Sequence, residues 1–128
     1  MGFINTRADE ISSTIIGCAI RIHNEVGPGL FESVYELLLA DGLGHRGLLV
    51  ERQGALPIRL EGRTFKKAFR TDLFVERQVV VETKSAAGFS PVDSKQLMTY
   101  LRLLQCRNGL LLNFGAERLG IKRLLNGY

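Results

Sequence analysis

A run of three β-branched residues, Val79-Val80-Val81, opens directly onto Glu82-Thr83-Lys84. A continuous β-branched run suits a strand covered on both faces. Further on, at Leu110 to Phe114, a second apolar segment reads as another buried strand. Between them, Ser90-Pro91-Val92-Asp93 is a helix start, with Ser90 as N-cap, Pro91 in the first turn and Asp93 closing a capping box. That helix carries Leu97, Leu101 and Leu104 inward and ends near Cys106. A strand–helix–strand crossover implies a parallel pair, so the expected fold is α/β, with a mixed, helix-covered sheet.

The rest of the chain fits around this unit. Ile11, Ile15, Ala19 and Ile22 recur at helical spacing over about residues 7–25, with Thr6 and Asp9 placed to cap them and Gly27-Pro28-Gly29 to end them. A second helix is expected over residues 31–45, with Val34, Leu37 and Leu38 as its apolar side. The period then changes to two. One strand begins at Leu48 and continues past Gln53, with Leu56, Ile58 and Leu60 alternating before a Glu61-Gly62 turn. Thr64 to Lys67 returns as a hairpin arm, Phe69 to Val75 forms a further strand, and Glu76-Arg77-Gln78 turns into the valine run. Ile121 to Leu125 is a last strand or a helical turn. The expected order is αα–ββββ–α–β.

Composition excludes several classes. With 45% hydrophobic and 23% charged residues, the 128-residue chain is neither disordered nor too short for a core, and it reads as one domain over 1–128. No apolar run approaches the ~20 residues that span a bilayer. No secretory h-region precedes the first helix. Met1-Gly2 with Asn5-Thr6 is a loose match to a myristoylation signal, a pattern that chance supplies easily. Cys18 and Cys106 read as small core residues of a reducing, cytoplasmic compartment, and His23 and His45 as structural or exposed. The net charge of +4 is uneven. Arg102, Arg107, Arg118, Lys122 and Arg123 face only Glu117 in the last stretch; Arg59, Arg63, Lys66, Lys67 and Arg70 face only Glu61. Such clusters are solvated surface or phosphate contacts.

Asp72, Glu82 and Lys84 carry the chemistry. Glu82 and Lys84, two apart on a strand, share a face. Asp72, one hairpin earlier, is placed as a cross-strand neighbour. Two acids and a lysine at the end of a buried strand make either an ion pair or an oxygen-ligand magnesium site with a cation beside it.

The run Arg70-Thr71-Asp72-Leu73, a turn, then Val79 to Lys84 resembles the PD-(D/E)XK nuclease signature, with Thr71 where the motif name has proline. Gln96-Leu-Met-Thr-Tyr100 resembles the QxxxY motif of RecB-type nucleases, and Gly29-Leu-Phe-Glu32-Ser-Val-Tyr35 the motif of the GxxExxY protein family. The resemblance implies a restriction-endonuclease-like core and a metal-dependent nuclease, acting on DNA in preference to RNA with Mg2+ or Mn2+. It implies that Asp72, Glu82, the Thr83 carbonyl and Glu32 hold the metal. It makes Lys84 the catalytic lysine, and has Gln96 contact metal-bound water or phosphate. It places Tyr100, of the QxxxY motif, toward substrate; Tyr35, one turn after Glu32 in the other motif, either joins the substrate site by a hydrogen bond or simply packs. Gly29 serves a tight approach to the helix, where positive φ is wanted. No membrane partner is implied; a second copy or a protein partner would supply surface that so small a chain lacks. The alternatives are a non-catalytic nucleic-acid- or protein-binding module that keeps the fold, and a structural protein with an internal ion pair.

Overall fold

The computed structural model describes residues 6–127. The loose myristoylation match begins outside them, at Met1-Gly2. Two helices, α1 (Arg7–Val26) and α2 (Glu32–His45), precede five strands: β1 (Val50–Arg52), β2 (Ala55–Leu60), β3 (Arg63–Arg70), β4 (Leu73–Val75) and β5 (Val79–Lys84). Helix α3 (Pro91–Leu104) and strands β6 (Asn108–Asn113) and β7 (Gly120–Leu125) complete the order. The main sheet runs β1-β4-β5-β6-β7, and β2-β3 form a separate two-stranded ribbon. β5 and β6 are parallel; every other pair is antiparallel. The sheet is therefore mixed, and the crossover helix α3 joins its two parallel central strands.

Alternation along the strands divides the core into two layers. Val79 and Val81 of β5, Leu110 and Leu112 of β6, and Leu73 and Val75 of β4 pack with Ile11, Ile15 and Ala19 of α1 and Leu39 and Leu43 of α2. Val80, Leu111 and Phe74 face the other way, onto Leu97 and Leu101 of α3. Each fully buried aliphatic side chain contributes roughly 1.5–3 kcal/mol of transfer free energy. By the same alternation Glu82 and Lys84 share the α3 side with Val80.

Local chemistry fixes the ends. Thr6 and Asp9 cap α1 reciprocally, at 3.1 and 3.2 Å. At α3 the Ser90 amide donates to Asp93 Oδ2 at 2.9 Å. Cys18 and Cys106 are free and buried, and burial pushes both thiols up. His23 is buried with Nε2 2.9 Å from the Ala116 carbonyl, and His45 is exposed. Among the described residues no helix is long and apolar enough to cross a membrane.

Four expectations are corrected. The inward side of α2 is Tyr35, Glu36, Leu39 and Leu43, whereas Leu37 is exposed. A run of three leucines fits several helical faces, and the buried Tyr35 selects this one. The segment from Leu48 is not one strand. Gln53 takes φ 55° and breaks it into β1 and β2, while β3 runs unbroken from Arg63 to Arg70. The expected Phe69–Val75 strand breaks at Thr71-Asp72, so Asp72 lies in the bend between β3 and β4, not inside a strand. The undecided last element is strand β7, giving five strands before α3 and two after it.

Candidate active site

The bend at Asp72 exists because two ribbons meet there. β1 pairs with β4 up to Arg52↔Leu73, and β2 with β3 from Ala55↔Arg70. The Gln53 amide spans the gap, donating to the Asp72 carbonyl at 2.9 Å. Freed from the ladder, the Asp72 side chain turns over the end of β5. Its Oδ2 accepts from the Thr83 amide at 2.8 Å and from the Thr83 hydroxyl at 3.1 Å. The Asp72 amide in turn donates to Glu82 Oε2 at 3.3 Å.

Glu82 is buried at 7% exposure, and its carboxyl is within hydrogen-bonding reach of that of Asp72. Burial first, then the Asp72 charge and the carboxyl–carboxyl hydrogen bond, push Glu82 up to about 9; Lys84 opposes them only weakly. Crowding of like charges at a buried strand end favours the protonated carboxyl, which is the direction in which Glu82 moves. Lys84 is aimed elsewhere, with Nζ 3.7 Å from Asp93 Oδ1. Asp93 therefore caps α3 with one oxygen and attracts the lysine with the other.

Tyr100 joins this cluster from α3. Burial and the neighbouring Glu82 push its phenol up, and Lys84 pulls the other way, so it lies within electrostatic reach of both. Its ring stacks on Phe69 of β3 with centroids 4.8 Å apart. Gln96, one turn earlier, is exposed and has no hydrogen-bond partner among the described residues.

The first motif contributes differently from what its spacing suggests. Gly29 takes φ 107°, the conformation a glycine is needed for. Tyr35 is wholly buried, stacked on Phe114 at 4.5 Å; its hydroxyl donates to the Gly27 carbonyl at 2.6 Å and accepts from the Leu30 amide at 3.1 Å. It anchors the Gly27–Leu30 loop, so of the two roles open for this residue the structure shows the packed one, with its hydroxyl bonded to that loop. The loop is fastened to the site strand, since Ser85 Oγ donates to the Leu30 carbonyl at 2.6 Å.

Glu32 is exposed at the first turn of α2. The acid that α2 presents is Glu36, one turn later and 3% exposed. Burial raises its carboxyl, and the charges of Asp72 and, least, Glu32 add to this, against Gln53 and Arg52. Gln53 Nε2 donates to Glu36 Oε1 at 2.6 Å and lies 3.5 Å from Asp72 Oδ1, linking the two acids. Sequence reasoning missed both residues. The signal available was the i, i+4 relation of Glu32 and Glu36, which puts two acids on one helix face. Among the described residues no three His, Cys, Asp or Glu side chains converge as a ready ligand cluster. The expected set of Asp72, Glu82, Thr83 and Glu32 is therefore not assembled. The Asp72 amide meets the Glu82 carboxylate, Thr83 faces Asp72 with amide and hydroxyl, and Glu32 is exposed on α2.

The chemistry of the donors still fits a hard divalent cation. They are carboxylate oxygens brought together at a strand end, the oxygen donors that a hard cation prefers.

Behind the site, Asn113 is buried and acts as a clamp. Its Oδ1 accepts from the Ala86 and Gly115 amides at 3.0 and 3.1 Å, and its Nδ2 donates to the Ala86 carbonyl at 3.0 Å. A Cβ at Gly115 would meet the Ala86 backbone at 2.3 Å, so only glycine allows this approach.

Comparison with known proteins agrees with this topology. A family model described as the PD-(D/E)XK nuclease superfamily matches residues 9–124. The chain belongs to the PD-(D/E)XK nuclease superfamily, and its mixed, helix-flanked sheet is the restriction-endonuclease-like fold of that class. No protein of curated function matches. A solved structure titled "Crystal structure of SSO0001" is similar at 20% identity and a TM-score of 0.47. The alignment covers 86% of this chain but spans only 62% of that one.

Proposed function

We propose that the protein is a metal-dependent nuclease that hydrolyses phosphodiester bonds, with DNA as its substrate in preference to RNA. The observation that carries this reading is the contact between the Asp72 and Glu82 carboxyls at the end of β5, on the strand that bears Lys84. A structural acid pair is ordinarily matched by a cationic side chain, whereas here Lys84, on the same strand, lies 3.7 Å from Asp93 instead. Asp72 and Glu82 would hold Mg2+ or Mn2+, and Glu36, through Gln53, would be the third acid nearby. Thr83 holds Asp72 in place. When bound, the metal supplies Lewis-acid stabilisation of the phosphoryl oxygens. Lys84, released from Asp93, orients the attacking water or steadies the charge that develops on the phosphate. Tyr100 and Gln96, on one face of α3, line the approach for the nucleic acid.

A second reading is a binding module that keeps the fold without the chemistry. It is favoured by the exposed positions of Gln96 and Glu32 and by the lack of a preassembled ligand cluster among the described residues. A cleavage assay separates the two. Linear and circular duplex DNA, single-stranded DNA and RNA are incubated in magnesium and in manganese with wild type, Glu82→Ala and Lys84→Ala. Cleavage by wild type alone, abolished by EDTA, is the expected result. No cleavage of any substrate by folded wild-type protein sinks the nuclease reading.

A further inference from the structure

The two most exposed large apolar side chains among the described residues are Phe31, at 83%, and Val92, at 67%. A single apolar side chain on a surface is ordinary and asks for no explanation. These two share a location. Val92 precedes Asp93, which lies 3.7 Å from Lys84. Phe31 follows Leu30, whose carbonyl accepts from Ser85, the residue after Lys84. Each is thus one residue from a group in contact with the end of β5. Asp93 belongs to α3 on one side of the sheet, and Leu30 to the loop between α1 and α2 on the other, so Phe31 and Val92 flank that end from opposite faces. The parallel strands β5 and β6 finish here together, at the end where open α/β sheets take their ligands.

Phe31 also breaks a local rule. It is the N-cap of α2, a position that favours a side chain able to accept an amide hydrogen, and it makes no such bond. Among the described residues its ring has no aromatic or cationic partner. Yet the backbone that presents it is held firmly. Gly29 turns the chain at positive φ, the Tyr35 hydroxyl bonds the Gly27 carbonyl and the Leu30 amide, and Ser85 bonds the Leu30 carbonyl. A ring held beforehand loses little freedom when a flat partner stacks on it. A strand that brings a phosphate to Lys84 brings a nucleobase to its neighbours, and every base has a π face. Within a duplex those faces are covered by the adjacent bases, so a base that meets Phe31 has left the stack.

We infer that Phe31 is a base-stacking residue at the rim of the site, with Val92 as an apolar wall on the other face, and that nucleic acid reaches Lys84 with an unstacked base beside the phosphate. This rests on the nucleic-acid reading above and deepens it by naming unpaired strand as the form that is gripped. Phe31 selects that form and not a sequence, because stacking accepts any base.

The chain contains no Trp, so Phe31→Trp places a single indole at the rim. The probes are an oligothymidylate of about twelve nucleotides, within the reach of one single-strand-binding domain, an abasic strand of the same length, which keeps the phosphates and lacks the bases, and a blunt duplex. All are titrated in EDTA. The oligothymidylate should quench the indole, and the abasic strand should not. By fluorescence anisotropy, Phe31→Ala should bind the oligothymidylate about tenfold more weakly, the size of one base stack. It should bind the abasic strand as wild type does, with the same salt slope, because no phosphate contact is lost. Leu49→Ala is the control, an exposed apolar side chain whose amide meets Glu76 at the far turn; it should bind as wild type. All variants should melt with wild type, since these side chains are exposed. Wild-type affinity of Phe31→Ala for the oligothymidylate overturns the inference, as do equal quenching by the abasic strand, wild-type preference for the duplex, and failure of wild type to bind any strand. Because no metal is present, Phe31-dependent binding without cleavage in the other assay would sink the catalytic reading and leave the stacking residue standing.

Discussion

The two ends of the β4–β5 hairpin treat their charges in opposite ways. At the turn, Glu76 and Arg77 both adopt positive φ, which non-glycine residues rarely do. Every charge there has a partner. Arg77 binds Glu51 with two hydrogen bonds, at 2.8 and 3.0 Å, and lies over the Phe74 ring; Glu76 accepts from the Leu49 amide and faces Arg7 at 3.5 Å. At the other end of the same two strands, Asp72 and Glu82 face each other, and the nearest lysine is drawn off by Asp93. The turn shows what this chain does with charges that only hold structure. The open end departs from that pattern over a few residues, and such departures mark sites where stability is exchanged for chemistry.

The largest expected difference between the two ends comes from Glu82→Gln. Cleavage should fall by about 10³-fold or more, on the scale of losing a charged catalytic group, while the fold gains. Folding moves Glu82 from its ordinary 4.5 to about 9. Between those values the folded state keeps a proton that the unfolded state releases, so metal-free wild type loses stability as pH rises through that window. Gln stays neutral, so the variant should show a flatter curve and exceed wild type at pH 8 by on the order of 1–2 kcal/mol. Magnesium should raise the melting temperature of wild type and leave the variant unmoved. Urea melts across pH, with and without the metal, check all three; a wild-type curve that rises from pH 5 to pH 8 without metal contradicts the crowded-pair account.

A middle-sized effect separates two acids on α2. Glu36→Gln should weaken magnesium affinity about 10–100-fold, as loss of an outer carboxylate does, and Glu32→Gln by far less. Isothermal titration measures both. The reverse ranking would return the role to the motif glutamate. The smallest effect belongs to the turn. Arg77→Ala removes a half-exposed pair and should cost under about 1 kcal/mol in thermal melts, with cleavage unchanged. A loss of cleavage there would show that the two ends are not independent.

Much of this contrast could be read from the residues in order. Val79-Val80-Val81, the Ser90-Pro91 start and the Leu110 run define a parallel pair without any coordinates, and Thr6 with Asp9 marks where α1 begins. The adjacency of Asp72 and Glu82 follows from hairpin register. What could not be read depends on tertiary choices. Leu37, Leu38 and Leu39 offer several apolar faces, and only the packing of Tyr35 on Phe114 selects one. Gln53 at φ 55° carries no local signal that a ribbon bends there, so the break at Asp72 and the separate β2–β3 pairing are not legible from the residues alone. Glu36 was overlooked because Glu32 matched a motif, and the motif's spacing says nothing about which turn of the helix faces the sheet.

The hydrogen bond from Ser85 to Leu30 spans 55 residues of chain. Closing so long a loop costs conformational entropy, which the packing of α2 on β5 and the stacking of Tyr35 on Phe114 offset. The position of the loop after Lys84 therefore depends on the packing of the N-terminal helices against the central strands. Asp72 and Glu82 meet across a single hairpin, whereas the loop that follows Lys84 is held by a residue from the far end of the chain.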